Sequence, residues 1–154
     1  MIKENIIKKN KNIIIILFMI MFFVFDRFLK ILSFKIREDF SIIKDFFKFT
    51  FFPNKFISFS IPFSGVGLKI ILSLLLILII FYLVITFKNK KYNEFLAFFS
   101  IFLGALSNFF DRIYYSYVID YLNLMFFSVF NLADVLIVGG CLYLIISNLK
   151  SIKR

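Results

Sequence analysis

Residues 70–87 form a run of 18 residues without a single charge. At about 1.5 Å per residue, such a helix is roughly 27 Å long, close to the hydrocarbon thickness of a bilayer. In lipid, an unpaired backbone needs a helix or a closed barrel to satisfy itself, so an apolar run of this length points to a membrane-spanning helix. Three further runs have the same character. Residues 13–34 are interrupted by Asp26, Arg27 and Lys30. Residues 95–110 lie between Glu94 and Asp111. Residues 132–149 carry Asp134 near their start and Gly139-Gly140 within, small residues that permit close helix approach. With 62% hydrophobic and 18% charged residues over 154 positions, the composition is far from that of a soluble domain. The expected fold is an all-α integral membrane protein with four transmembrane helices, in a single domain covering residues 1–154.

Residues 3–12 resemble the basic opening of a signal peptide, but no small-residue cleavage site follows, so the first span is expected to persist as a helix. Lys3, Lys8, Lys9 and Lys11 precede span one. Lys88, Lys90 and Lys91 join spans two and three, and Lys150, Lys153 and Arg154 follow span four. These ten basic residues are matched only by Glu4 and Glu94, whereas the rest of the chain holds nine Lys/Arg and seven Asp/Glu. The positive-inside rule therefore places both termini in the cytoplasm. The net charge of +10 reads as a topology signal, and no nucleic-acid partner is expected. The chain has one cysteine, Cys141, and no histidine. That leaves no intrachain disulfide and no Cys/His metal cage, and neither metal nor cofactor is expected.

The outward loops then cover residues 33–65 and 111–131. In the first, Phe47, Phe49 and Phe51 alternate with Lys48 and Thr50. Ile57, Phe59 and Ile61 alternate with Ser58 and Ser60, and Pro53-Asn54 is a turn signal between the two stretches. The pattern is strand–turn–strand. Ile36, Phe40, Ile43 and Phe47 are also spaced for one face of an interfacial helix, which is compatible with strands after it. Val118-Ile119-Asp120-Tyr121 is a further β-like run.

Ionisable residues at membrane depth are costly and are functional candidates by default. Asp26 and Lys30, four apart, share a helix face and alone read as a local ion pair with Lys30 reaching outward. Asn108 and Asp111 share a face at the end of span three, where the dipole disfavours an anion; Arg112 or Lys30 would compensate it as a structural salt bridge. Asp120 is a lone acid in an apolar run, and spacing alone equally allows a turn residue. Asn131 can cap span four with Asp134 at the third helical position, so capping alone would account for both. The joint pattern says more, because the topology brings Asp26, Asp111, Asp120 and Asp134 to one leaflet. Clustered carboxylates repel, which raises one pKa and lets a pair share a proton. Such a pair can run hydrolysis without a nucleophilic side chain. Two rival readings use the same residues. In a small transporter or channel subunit the acids would line a cation path, although spans two and four are nearly free of mid-membrane polar groups. In a structural anchor they would serve stability alone.

In this order the residues resemble lipoprotein signal peptidase, or signal peptidase II, a family of aspartic proteases of bacterial membranes. The resemblance covers nearly the whole chain. Asp26-Arg27-Phe28-Leu29-Lys30 resembles the family's first box, and residues 46–60 resemble its aromatic strand region, with Asn54 matching an asparagine. Gly104-Ala105-Leu106-Ser107-Asn108-Phe109-Phe110-Asp111-Arg112 resembles the third box, ending in Asn-x-x-Asp-Arg. Val118-Ile119-Asp120 and Phe130-Asn131-Leu132-Ala133-Asp134 resemble the fourth. The resemblance implies a catalytic pair at Asp120 and Asp134, with Asp26, Lys30, Asn54, Asn108, Asp111, Arg112 and Asn131 supporting the pair and the substrate. It implies a small β-rich cradle in the outer loops. The implied substrate is a prolipoprotein whose cysteine carries diacylglycerol, cut on the amino side of that cysteine near the outer face of the bacterial cytoplasmic membrane. Membrane lipids are the other expected partner, and a monomer is expected. Four departures stand out. The chain has Asn54-Lys55-Phe56 where the family has Asn-x-Gly, Ser107 and Ser116 stand at family glycines, and the stretch from Asp120 to Asp134 is short.

Overall fold

The computed structural model describes residues 2–44, 46–55 and 65–152. The four apolar runs form helices, each longer than the run itself: α1 (Ile2–Ile36), α2 (Gly65–Lys88), α3 (Tyr92–Tyr114) and α4 (Leu132–Ile152). All four are long and apolar enough to cross a bilayer. Phe18, Met21, Phe25 and Phe28 of α1 and Leu74, Ile77 and Phe81 of α2 are exposed, as expected where the surrounding solvent is lipid.

Helix α3 is the hub. Leu96, Ala97, Ser100, Leu103, Gly104, Ser107, Asn108 and Asp111 are buried and recur every three or four residues, which makes one continuous face. The face is rich in small and polar residues because helices in lipid gain from close van der Waals approach and interhelical hydrogen bonds. A Cβ on Gly104 would sit 2.3 Å from the carbonyl oxygen of Ala133, and one on Gly140 would sit 2.7 Å from that of Ala97. The two glycines thus hold α3 against α4 at both levels. Of the expected Gly139-Gly140 pair only Gly140 makes this approach; Gly139 faces open space. Ser100 Oγ donates to the Leu136 carbonyl at 2.8 Å across the same seam.

The connecting segments build a three-stranded antiparallel sheet in the order β1 (Phe40–Ile43), β2 (Phe47–Asn54), β3 (Val118–Leu124). Two expectations about the first loop are corrected here. An interfacial helix through Ile36, Phe40, Ile43 and Phe47 does not form. Helix α1 stops at Ile36, and Arg37 takes a left-handed φ of 53°, a helix-terminating geometry. Its N–H still bonds the Ser33 carbonyl at 3.0 Å, and the chain leaves as a strand. Pro53-Asn54 is not a turn either. Both residues continue β2, with Pro53 opposite Ile119 and Asn54 opposite Val118. The Phe47–Phe51 alternation is a strand as expected, whereas the alternation at 57–61 and Phe56 lie outside the described residues. Ser33 Oγ donates to the Thr50 carbonyl at 2.8 Å and fastens the sheet to the end of α1.

Candidate active site

Strand β3 carries Asp120, and its register chooses the neighbours. Phe52 lies opposite Asp120 and Asn54 opposite Val118, so Asn54 and Asp120 occupy one face of adjacent strands two positions apart. Asn54 Nδ2 donates to Asp120 Oδ2 at 2.9 Å. After Leu124 the chain doubles back, and Phe130 pairs with Leu122 through bonds of 2.8 and 3.0 Å. That return brings Asn131 against β3, where its Nδ2 donates to Asp120 Oδ1 at 2.6 Å.

Asn131 also starts α4. Its Oδ1 accepts the Asp134 N–H at 2.9 Å, and Asp134 Oδ2 accepts the Asn131 N–H at 3.2 Å. This is a reciprocal capping box. The capping expected from sequence is therefore present, and it is also the device that brings the two acids together, because both carboxylates hang on one asparagine. Helix α3 closes the other side. Asn108 Oδ1 accepts from Lys30 Nζ at 2.7 Å and from Asn131 Nδ2 at 3.2 Å, while Asn108 Nδ2 donates to Asp134 Oδ1 at 2.8 Å. With its oxygen committed to two donors, the Asn108 amide can turn only its NH₂ toward Asp134. Arg112 Nη1 donates to the Asn108 carbonyl at 3.3 Å and lies in the field of Asp120, Asp134 and Asp111.

Beneath this pair lies a second carboxylate set. Asp26 and Asp111 are fully buried. Lys30 is equally buried, 3.2 Å from Asp26 and 2.8 Å from Asp111. It does not reach outward; a buried ammonium with two carboxylates and an amide oxygen has no reason to seek the interface. Asp111 sits one turn inside α3, which runs on to Tyr114. Of the two cations expected to compensate it, Lys30 pairs with it directly, and Arg27 adds a second ion pair at 2.5 Å. Asp111 Oδ2 also accepts the Ile119 N–H at 3.2 Å, and that bond ties β3 to α3. Asp26 accepts from Ser107 Oγ at 2.6 Å, from the Tyr121 hydroxyl at 2.9 Å and from the Ala133 N–H at 3.2 Å.

All nine residues singled out from sequence thus meet in two connected networks. Sequence reasoning passed over Arg27, Ser107 and Tyr121. Arg27 had a signal, since it shares the box with Asp26 and Lys30. Tyr121 had only strand alternation, which turns it to the face opposite Asp120. There its hydroxyl donates to Asp26 and accepts the Leu132 N–H at 3.1 Å.

Burial pushes the Asp120 carboxyl up to about 7, and the neighbouring Asp134 charge adds to the rise against the hydrogen bonds from Asn54 and Asn131. Burial likewise raises the Tyr121 hydroxyl, with Asp26 adding to the effect, so it stays a donor. A carboxyl that exchanges its proton near neutrality beside a second carboxyl is equipped for acid–base chemistry.

The family model described as Signal peptidase (SPase) II matches residues 18–150. The chain is 34% identical over 154 residues to a lipoprotein signal peptidase of Clostridium novyi, with 92% of this chain and 99% of that one covered. It is 34% identical over 144 residues to a lipoprotein signal peptidase of Clostridium tetani, with 88% of this chain and 92% of that one covered. A bacterial membrane enzyme solved by the in meso method at 2.3 Å resolution superposes with a TM-score of 0.75 at 26% identity, covering 92% of this chain and 88% of that chain. A four-helix membrane fold and a match over most of the chain agree: the protein belongs to the signal peptidase II family.

Proposed function

We propose that this protein is an aspartic endopeptidase that removes the signal peptide from diacylglyceryl-modified prolipoproteins, with Asp120 and Asp134 as its catalytic pair. The observation that carries the assignment is the contrast in partners. Asp26 and Asp111 are ion-paired to Lys30 and Arg27, whereas Asp120 and Asp134 accept from the neutral amides of Asn54, Asn131 and Asn108. A buried carboxyl whose direct hydrogen bonds come from neutral amides can trade a proton near neutral pH.

In the reaction, a water is held between the two side chains. The ionised carboxylate takes its proton as the oxygen attacks the scissile carbonyl carbon, and the protonated partner donates to the developing oxyanion. The tetrahedral intermediate collapses when the amide nitrogen receives a proton and the C–N bond breaks. The signal peptide leaves with a new carboxylate, and the lipid-bearing cysteine keeps a free amine. The two aspartates titrate as one unit. Lys30 acts through Asn108 by orienting the amide that faces Asp134.

The excess of Lys and Arg at the opposite end supports a topology with both termini in the cytoplasm and the sheet-bearing end outside. Diacylglycerol tails then stay in lipid while the scissile bond meets the pair at the surface. A single domain acting as a monomer is sufficient, since all nine site residues come from one chain. The test is cleavage of a lipidated precursor by Asp120→Asn and Asp134→Asn proteins purified in lipid nanodiscs; full cleavage by either folded variant defeats the assignment. Impermeant thiol labelling of Met125→Cys and Asn89→Cys variants in intact cells checks the orientation, with only the first expected to react.

A further inference from the structure

Strand β2 carries a β-bulge. Its pairing with β3 runs from Phe49 opposite Leu122 to Phe52 opposite Asp120, three steps along β2 against two along β3. One residue of β2 is therefore extra, and it falls at Thr50–Phe51. The bulge decides what Asn54 can do. Side chains alternate across a strand, so a shift of one residue sends every later side chain to the other face. Continued without a bulge from Phe49 and Leu122, β2 would set Phe51 opposite Asp120 and Asn54 opposite Tyr117, on the face away from Asp120. With the bulge, Asn54 lies opposite Val118, and its Nδ2 donates to Asp120 Oδ2 at 2.9 Å.

The strand's own sequence does not choose between these registers. Phe51 and Phe52 are the same residue type, so either register presents a phenylalanine opposite Asp120. Contacts from outside the sheet make the choice. The Thr50 carbonyl accepts from Ser33 Oγ at 2.8 Å, and Thr50 Oγ1 donates to the Asp39 carboxylate. The Phe51 ring meets Phe34 and Tyr117 edge-on, with centroids 5.7 and 6.4 Å away, and the Arg37 guanidinium lies 5.4 Å from its centroid. Ser33, Phe34, Arg37 and Asp39 belong to the end of α1 and the link after it, and Tyr117 to the link before β3. All five hold the two residues at the bulge. Bulges beside reactive groups re-aim a side chain, and here the side chain is Asn54. We infer that Thr50 and Phe51 are positioning residues for the reaction: the end of α1 and Tyr117 pin the bulge at these two residues and so aim the Asn54 amide at Asp120. The inference rests on Asp120 belonging to the catalytic pair. Thr50 and Phe51 act only through Asn54, whose hydrogen bond favours the ionised Asp120 carboxyl. Asp134 from α4, Lys30 from α1 and Arg112 from α3 also act on Asp120.

The test is a double-mutant cycle of Phe51→Leu and Asn54→Ala in lipid nanodiscs, read as kcat, KM and the pH profile of lipidated-precursor cleavage. The cycle leaves Asp134, Lys30 and Arg112 in place. Asn54→Ala removes a donor to the carboxylate, so the alkaline limb of kcat should move up by roughly half to one pH unit. Phe51→Leu loses the ring contacts that pin the bulge. It should move the limb the same way by a smaller amount and lower kcat about threefold at unchanged KM. Combined with Asn54→Ala it should do nothing more, because its effect passes through an amide already removed. Equal kcat losses from Phe51→Leu with and without Asn54 overturn the inference, since a general loss of packing acts alike in both backgrounds. So does a Phe51→Leu profile that matches the wild type. Should Phe51→Leu fail to fold, Thr50→Val takes its place in the cycle, with the same expected and overturning results; it removes only the hydroxyl that holds Asp39. An unchanged alkaline limb in Asn54→Ala overturns the inference as well. Cleavage by Asp120→Asn tests the pair itself, so the two failures are told apart.

Discussion

Asp26 and Asp111 on one side, and Asp120 and Asp134 on the other, are the same residue type at the same end of one helical bundle. They are linked through Lys30, Asn108 and Tyr121. Their surroundings separate them. The first two are neutralised by ammonium and guanidinium groups, and they fasten α1, α3, β3 and the start of α4 to one another. The second two are presented by amides that offer hydrogen bonds without charge. Burial is therefore not what sets the proposed catalytic pair apart, since Asp26 and Asp111 are the more deeply buried on average. The direct partners are what differ: ammonium and guanidinium groups at the fasteners, neutral amides at the proposed pair, where Arg112 adds its field.

The largest effects should fall on the amide-held pair. Asp120→Asn or Asp134→Asn removes a proton-transfer partner without leaving a buried cation unpaired. Cleavage should drop by about 10³-fold or more, and thermal stability should hold or rise. The reverse pattern is expected at the fasteners. Asp26→Asn leaves Lys30 with one carboxylate, and Asp111→Asn leaves Arg27 without its partner and Lys30 with one carboxylate. Each should cost roughly 3–5 kcal/mol of stability, as for a broken buried ion pair, and any lost activity should track the unfolded fraction. A stable Asp26→Asn protein with no activity, or an unfolded Asp120→Asn protein, would break the comparison.

The pH dependence sharpens it. The folded-state value of Asp120 is about 7 against an ordinary value of 3.8, so the folded protein binds the extra proton between those limits. Its stabilising contribution is fully present below the lower value and is lost as pH rises through the upper one. Stability should thus decline from about pH 4 to about pH 7, and Asp120→Asn should flatten that slope in a series of melting temperatures. Activity should also fall on the alkaline side of about pH 7, where the pair loses its second proton.

Much of this division was legible in the sequence. Hydropathy located the four spans because a lipid-facing helix has to be apolar all round. The Asn131–Asp134 spacing announced a cap, because a capping box is a local motif. What sequence could not supply was partnership across the fold. The i,i+4 spacing of Asp26 and Lys30 is real, and Lys30 is one of the two cations expected for Asp111, yet the spacing gave no hint that Lys30 also bonds Asn108. Arg27 reaches Asp111 from another helix, a pairing that no spacing in the sequence announces. The Pro53-Asn54 turn signal was overridden because β3 supplies a partner strand, and proline is tolerated in a strand when its missing N–H costs no ladder bond.

Tyr121 joins the two sets and tests whether they are separable. Its hydroxyl donates to Asp26 and accepts the Leu132 N–H at the mouth of α4, one position along β3 from Asp120. Tyr121→Phe keeps the ring against Phe49 and removes only the oxygen. A loss of about 1.5–3 kcal/mol is expected for a hydrogen bond to a charged group. Because the start of α4 also carries Asp134, a modest fall in kcat at unchanged KM should accompany it. A full-rate Tyr121→Phe protein would mean that the fasteners do not help to aim the pair.

Ser107 should give the smallest effect and the cleanest control. It is fully buried, donates to Asp26, and accepts from Lys30 at 3.3 Å and Arg27 at 3.4 Å. All three partners belong to the ion-paired set, and the family resemblance places a glycine at this position. Its hydroxyl is thus a supplement to charges that already answer one another. Ser107→Ala should cost about 1 kcal/mol, the net worth of an ordinary buried hydrogen bond, visible as a small drop in melting temperature. The turnover number should stay within about twofold, because the Asn108 amide that faces Asp134 keeps its Lys30 and Asn131 donors. A turnover loss of tenfold at unchanged melting temperature would show that the charge-paired carboxylates take part in proton transfer, and the distinction between fastener and acid–base group would no longer stand.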